Sequence, residues 1–148
     1  MTKKIGTLGE QLVGRWLQIQ NYTLLQQNWR CRWGEIDLIA QEANTEAIAF
    51  VEVKTRSRQN WDENGLLAIN SVKQHKLWQT ASLFLAEYPQ LAELPCRFDI
   101  ALVSYHPLKN PLINPVENLH QSQLTIGQPV TLANYQFTLE NYLESAFD

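Results

Sequence analysis

The sequence predicts an α/β domain, a mixed sheet flanked by helices. Apolar residues recur at helical spacing in two separate stretches. Between and after those stretches lie apolar runs of strand length, bounded by turn residues. Their order is helix, three strands, helix, strand, which suits a sheet with helices packed on its faces.

Taken in order, Ile5, Leu8, Leu12, Trp16 and Ile19 repeat at the spacing of one helix face, so residues 5–20 form the first helix. On a helical wheel Glu10 falls beside Val13 and Leu17, at the edge of that apolar stripe. Asn21 closes the helix, and residues 22–25 form a short strand. Gly34 punctuates before the second strand, residues 35–40. A polar turn at 41–45 leads into the third strand, residues 47–55, the most apolar of the set. A polar loop fills 56–68. Ser71 and Gln74 have capping-box spacing and open the second helix, which continues through Leu77, Ala81, Phe84, Leu85 and Tyr88. Pro89 and Pro95 bracket its end, and residues 98–103 form the fourth strand. Beyond Tyr105 the texture changes. Pro107, Pro111 and Pro115 mark a loop or extension, and residues 130–139 suit one or two edge strands. The chain thus divides into a core, residues 1–105, and an extension, residues 106–148, packed on the same domain.

Bulk properties bound the function. A length of 148 residues suits one domain that buries a core without disulfides or a structural metal. An apolar fraction of 45% and a charged fraction of 18% argue against disorder. No apolar run approaches the roughly 20 residues needed to cross a bilayer, so no membrane partner is expected. Lys3 and Lys4 are followed by no apolar signal-peptide segment, and Cys31 and Cys96 show neither Cys-x-x-Cys nor metal spacing. A cytoplasmic protein with two reduced thiols is the expectation.

The formal charge of -3 is unevenly spread: residues 1–60 hold eight Lys/Arg against six Asp/Glu, and residues 81–148 hold two against seven. Arg30 with Arg32, Lys54 with Arg56 and Arg58, and Lys73 with Lys76 concentrate the positive charge. That pattern allows a local phosphate-binding surface of modest, salt-sensitive affinity.

The chemistry lies in the strands. Alternate strand residues share a face, which puts Ile36 and Leu38 on one side and Glu35, Asp37 and Ile39 on the other. Val51 and Val53 likewise oppose Phe50, Glu52 and Lys54. Burying a carboxylate and an ammonium in so apolar a strand is costly unless they are paired or meet a metal. With the two strands adjacent, Asp37 lies near Glu52, and a divalent cation relieves their repulsion. Hard oxygen ligands suit Mg²⁺ or Mn²⁺, which polarises a phosphoryl oxygen and acidifies a bound water. Lys54 is placed to orient that water or to stabilise charge on the phosphate, and Glu10 to complete the metal shell.

Asp37 followed by Glu52-Val53-Lys54 resembles the PD-(D/E)xK signature of the restriction-endonuclease-like superfamily. A longer set is similar to the YraN-like family: Gly9-Glu10, residues 28–32 (NWRCR), 34–40 (GEIDLIA), 50–56 (FVEVKTR) and Arg97-Phe98-Asp99. The likeness covers about residues 5–104, with a weaker match near Tyr142 to Phe147. The short signature is common by chance, whereas GEIDLIA combined with FVEVKTR is specific. The resemblance implies a three-layer αβββαβ core with a C-terminal extension, like that of Holliday-junction resolvases and tRNA-splicing endonucleases. It implies Mg²⁺ (or Mn²⁺) held by Asp37, Glu52 and the Val53 carbonyl, with Lys54 serving catalysis and Glu10 as the helix-one acid. Ile36 stands where the signature has proline, and the segment 106–129 departs from the pattern.

The resulting expectation is a Mg²⁺-dependent hydrolase of phosphodiester bonds in DNA, branched or single-stranded, in preference to RNA. A homodimer is expected where both strands are cut. Arg30, Arg32, Arg56, Lys73, Gln74 and Lys76 are the expected nucleic-acid contacts. Plainer roles stand beside these. Glu52 and Lys54 suit cross-strand ion pairs, Glu35 suits a pair with Arg30 or Arg32, and Gln74 suits the helix cap. Trp29 and Trp33 suit either stacking on unpaired bases or packing. Asp99 is a further site acid, the partner of Arg97 or the cap of a buried polar cluster. Two other functions remain open: a catalytically silent nucleic-acid-binding module of the same fold, and a protein-interaction domain that works through residues 106–148.

Overall fold

A computed structural model of the chain describes residues 2–62, 69–115, 119 and 123–148. These form α1 (Thr2–Ile19), β1 (Tyr22–Cys31), β2 (Gly34–Glu42), β3 (Ile48–Ser57), α2 (Ser71–Glu87), β4 (Cys96–Pro107), β5 (Pro129–Leu132) and β6 (Tyr135–Phe147). The strands make one sheet in the order β1-β2-β3-β4-β6-β5. β1, β2 and β3 form an antiparallel meander, and β4 lies parallel to β3 after the crossover that contains α2. β6 returns antiparallel to β4, and β5 pairs with the start of β6. The fold is therefore mixed α/β, with a helix on each face of the sheet. Among the described residues no helix is long and apolar enough to cross a membrane.

α1 buries Leu8, Leu12, Val13 and Leu17, with Ile5 and Trp16 half-buried at the margin. The buried band is wider than the stripe in the sequence, because a helix lying flat on a sheet covers more than one row of side chains. Beneath it lie Leu38, Ala40, Ala49, Val51, Ala101 and Val103, and the three alanines leave room for a close approach. Gly9 sets the closest point: a Cβ there would stand 2.2 Å from the Thr55 hydroxyl oxygen of β3. On the other face Leu77, Ala81 and Phe84 of α2 pack with Ile36, Ile39, Ile48, Phe50 and Phe98. Phe84 meets both Phe50 and Trp29 edge-on, at 6.0 and 5.4 Å between ring centroids.

Several elements differ from the sequence reading. β1 continues to Cys31 instead of stopping near Leu25, with a bulge between Leu24 and Gln26. It is an edge strand, so its polar residues face water while the backbone still pairs. β3 extends to Ser57 because β4 supplies a parallel partner all the way to Tyr105. A 3₁₀ turn, Arg58–Asn60, follows it, and residues 63–68 of the expected loop lie outside the described residues. α2 is not capped by Ser71. Asn70 accepts the Lys73 N–H at 2.8 Å, while the Gln74 amide reaches back to the Ile69 carbonyl at 2.7 Å. The cap therefore stands one residue earlier, since Asn70 has the extended backbone an N-cap requires. β6 also outruns the expected 130–139 and carries residues 140–147 into the sheet, where they pair with β4 alone.

Asp99, only 1% exposed, binds β4 to the rest of the sheet. It accepts from the Arg97 Nε, from the Tyr142 hydroxyl at 2.6 Å and from the Ser145 N–H at 3.0 Å. Arg97 in turn donates to the Tyr22 hydroxyl and forms ion pairs with Glu42 and Glu144. Burial and the Asp99 carboxylate push the Tyr142 hydroxyl far up, so it stays a proton donor. Of the roles open to Asp99 in the sequence, the structure shows the pairing with Arg97 and a place in a buried polar cluster.

The contact at Gly9 gives a sign test. Ala ordinarily gains about 1 kcal/mol over Gly inside a helix. Gly6→Ala, with nothing within 4 Å of the added carbon, should show that gain. Gly9→Ala should instead lose about 1–3 kcal/mol through overpacking on Thr55, and Gly9→Ala/Thr55→Ala should recover most of it. Urea denaturation of the three variants measures each change.

Candidate functional site

The regular ladder between β2 and β3 ends at Leu38 paired with Val51. One residue further on, Asp37 and Glu52 face each other across strands that are no longer paired. Asp37 fills the gap itself: its Oδ2 accepts the Val53 N–H at 2.8 Å. A side chain thus takes over a donor that a neighbouring strand would otherwise use, and the carboxylate is held in the plane of the sheet.

The alternation of β2 breaks at the same level. Leu38 belongs to the core under α1 and Ile39 to the core under α2, as the sequence predicts. Ile36, predicted to share a face with Leu38, packs instead on the α2 side. The cause stands next door in β1. Between the pairs Gln27–Leu38 and Trp29–Ile36 sits Asn28, whose φ of 51° is left-handed. Asparagine tolerates that conformation better than most residues, because its short side chain bonds locally. Here the Asn28 side chain hydrogen-bonds to Glu10 of α1.

Four of the predicted site residues therefore act on one another. Burial raises the Asp37 pKa first, and Glu52, Glu10 and Glu35 add to the effect; together they push it up to about 8 despite the bond from Val53. Glu10 is raised by burial and by Glu35 and Glu52, against the hydrogen bonds to Asn28 and Asp37. Lys54 is lowered by burial and by Lys73, while Glu52 holds it up. Glu52 itself lies 3.6 Å from the Lys73 Nζ, a pair in which the lysine is 49% exposed.

The remaining predicted contacts lie around this centre. Arg30 pairs with Glu35 at 2.9 Å, and the Arg32 guanidinium lies 4.9 Å over the Trp33 ring. Lys76 lines a cleft with Lys73, Glu35 and Trp33. Arg56 donates to the Thr55 carbonyl, and Gln74 is tied to the Ile69 carbonyl. Trp29 turns inward onto Phe84, so of the two tryptophans flanking the arginines only Trp33 is exposed. The sequence reading missed Asn28, whose only signal was its tolerance of positive φ, and Trp78, which on an apolar helix reads as core.

The donor set is one of hard oxygens, suited to Mg²⁺ or Mn²⁺, but it is not drawn together. Among the described residues no three His, Cys, Asp or Glu groups converge closely enough to hold a metal ion. Glu52 pairs instead with the exposed Lys73, a contact that contributes at most about 1 kcal/mol. The oxygen chemistry of the donor set is the kind that suits a divalent cation.

The family model described as "Uncharacterised protein family UPF0102" matches residues 9–103, a span that holds Glu10, Asp37, Glu52 and Lys54. A UPF0102 protein of Acaryochloris marina is 48% identical, over 97% of this chain and 90% of its own length. One from Trichodesmium erythraeum is 45% identical, over 96% and 87%. One from Synechocystis sp. is 47% identical, over 97% of both chains. Their names state a family and no activity.

The raised Asp37 carboxyl makes metal-free stability depend on pH. Asp37 keeps its proton in the folded state up to about pH 8, whereas the unfolded chain releases it near 3.8. Stability therefore falls as pH rises through that window. Asp37→Asn keeps an acceptor for the Val53 N–H and removes the charge. In EDTA its Tm should exceed that of the wild type by about 3–6 °C at pH 8, the gap closing toward pH 4. Equal melting temperatures at pH 8 would show that the repulsion is relieved in some other way.

Proposed function

We propose that this chain, which belongs to the uncharacterised protein family UPF0102, is a Mg²⁺- or Mn²⁺-dependent phosphodiesterase acting on DNA. The observation that carries the reading is the acid pair Asp37 and Glu52, set at the parting of β2 and β3 with Lys54 two residues along the same strand. A half-buried carboxylate pushed up by burial and by neighbouring acids costs stability, and a perturbed acid of this kind is a candidate functional group. The order αβββαβ from α1 to β4 supports a restriction-endonuclease-like core, and the spacing Asp37, Glu52, Lys54 supports the PD-(D/E)xK assignment within it.

Each residue then has a part. Asp37 and Glu52 would hold the metal ion, with the Val53 carbonyl as the ligand that the resemblance adds. A bound divalent ion supplies Lewis-acid polarisation of a phosphoryl oxygen and an acidified water. Lys54, its pKa lowered by burial, orients the attacking water or offsets charge on the phosphate. Glu10, fixed by Asn28, supports the site from the α1 side. Lys73, paired with Glu52 and half-exposed, would be available to a substrate phosphate.

A second reading has its own observation. The acids do not converge among the described residues, which favours a nucleic-acid-binding module that keeps the charges and cleaves nothing. Calorimetric titration with Mn²⁺ separates the two. The wild type should bind, and Asp37→Ala and Glu52→Ala, checked for folding by circular dichroism, should each weaken binding at least about tenfold. Labelled branched, single-stranded and duplex DNA should then be cut by the wild type and not by Lys54→Ala. A wild type that binds no Mn²⁺, even with DNA present, leaves the binding module as the function.

A further inference from the structure

The β1–β2 hairpin turns through Arg32 and Trp33 and comes to rest on α2. Gly34 makes the turn at a φ of 152°, a conformation that residues with a Cβ rarely adopt, and Thr80 of α2 lies within contact range of it. The turn places Trp33 across an open groove of about 480 Å³ from Trp78, with His75 and Leu83 between them. Both indoles are 40% exposed. They are also held. The Trp78 indole N–H donates to the Asp148 carbonyl at 2.7 Å, and its ring meets Phe98 edge-on at 4.7 Å. The Trp33 backbone N–H reaches the Cys31 sulfur at 3.4 Å, and Arg32 covers part of its ring. Two large apolar rings kept at the surface, each anchored and both bordering one groove, mark a contact surface rather than scattered exposure.

The charge beside Trp33 is mostly basic, while Asp148 stands next to Trp78. Trp33 is shared with a second cleft of about 130 Å³, lined by Lys73, Lys76, Glu35 and Thr80. Glu35 is neutralised by Arg30. Arg32 stands at the hairpin tip, and Lys73 connects the cleft to Glu52. Aromatic surfaces followed by a cationic path is the pattern that receives unpaired nucleotides, whose bases stack while the backbone follows the charge.

We propose that Trp33 and Trp78 form a stacking platform for single-stranded DNA, whose backbone continues past Lys76 and Lys73 to the acid pair. The inference rests on the reading of that pair as a phosphodiesterase centre, and it supplies the substrate class: a strand with unpaired bases next to the scissile bond. Such a platform favours flaps, tails and junction arms over continuous duplex, because stacked base pairs present no free faces to the indoles.

The test is fluorescence anisotropy of an end-labelled oligothymidylate of about 12 nucleotides, in EDTA so that neither metal nor cleavage takes part. The wild type should bind it more tightly than a duplex of equal length. Trp33→Ala and Trp78→Ala should each weaken binding about 5- to 100-fold. Trp33→Phe should restore most of it, which a purely structural role on the hairpin would not require. Calorimetric Mn²⁺ binding should be unchanged in Trp33→Ala, so a failure here is distinguishable from a failure of the metal site. Unchanged oligonucleotide affinity in both alanine variants would overturn the proposal. So would no binding by the wild type, equal affinity for duplex, or tighter binding of oligouridylate. A Trp33-dependent dimer in sedimentation velocity that the oligonucleotide does not dissociate would also overturn it, giving the groove to a second copy of the chain.

Discussion

One hydrogen bond organises the end of the sheet where β2 and β3 part: the Asp37 carboxylate accepting the Val53 N–H. Were the ladder to continue, that N–H would belong to a neighbouring backbone and Asp37 would be one more alternating side chain. By taking the donor, the carboxylate becomes part of the sheet's own bonding, and its position is set with the precision of the backbone. Glu52, Val53 and Lys54 follow on the partner strand, so fixing one atom of Asp37 fixes the frame in which all four stand. The arrangement is tolerable because the rest of the sheet is unusually well tied. The Asp99–Arg97–Tyr22–Tyr142 network satisfies a buried carboxylate fully, whereas Asp37 is left among other acids. The two aspartates show opposite uses of burial, one settled by partners and one kept under strain.

The helices serve that frame. α1 can bring Glu10 to the sheet only because Gly9 admits Thr55 where any other residue would collide. α2 contributes Phe84 and Leu77 to the core on one side and Lys73 to the centre on the other. Neither helix carries Asp37 or Glu52, which belong to the strands. Each adjusts their surroundings, α1 with a further carboxylate and α2 with positive charge.

How much of this was legible in the sequence follows from the range of the interactions. The helices and the four principal strands were legible because hydrophobic period is local. The juxtaposition of Asp37 with Glu52 was legible because strands joined by a short turn tend to be neighbours. The break in alternation was not, since Asn28 adopts a positive φ only in answer to its neighbours in the sheet. The C-terminal part of β6 was hidden by its polar residues, whose partners lie about 40 positions away in β4. The cap of α2 was misplaced by one residue because Asn70 and Ser71 are both good caps and only the backbone chooses between them. Trp29 and Trp33 looked alike in sequence, yet one is core and the other surface, a division made by the hairpin turn rather than by residue type.

The meander and the crossover also differ in when they can form. β1, β2 and β3 are joined by short turns, so their contacts close small loops early, while β4 must wait for the whole α2 connection. The acid pair lies inside the early part, and the lysine of α2 that softens it arrives only with the late part. Within the meander the cation beside the carboxylates is Lys54, and Lys73 joins it once α2 has docked. Short loops thus set the acids, and the long connection brings the second cation to them.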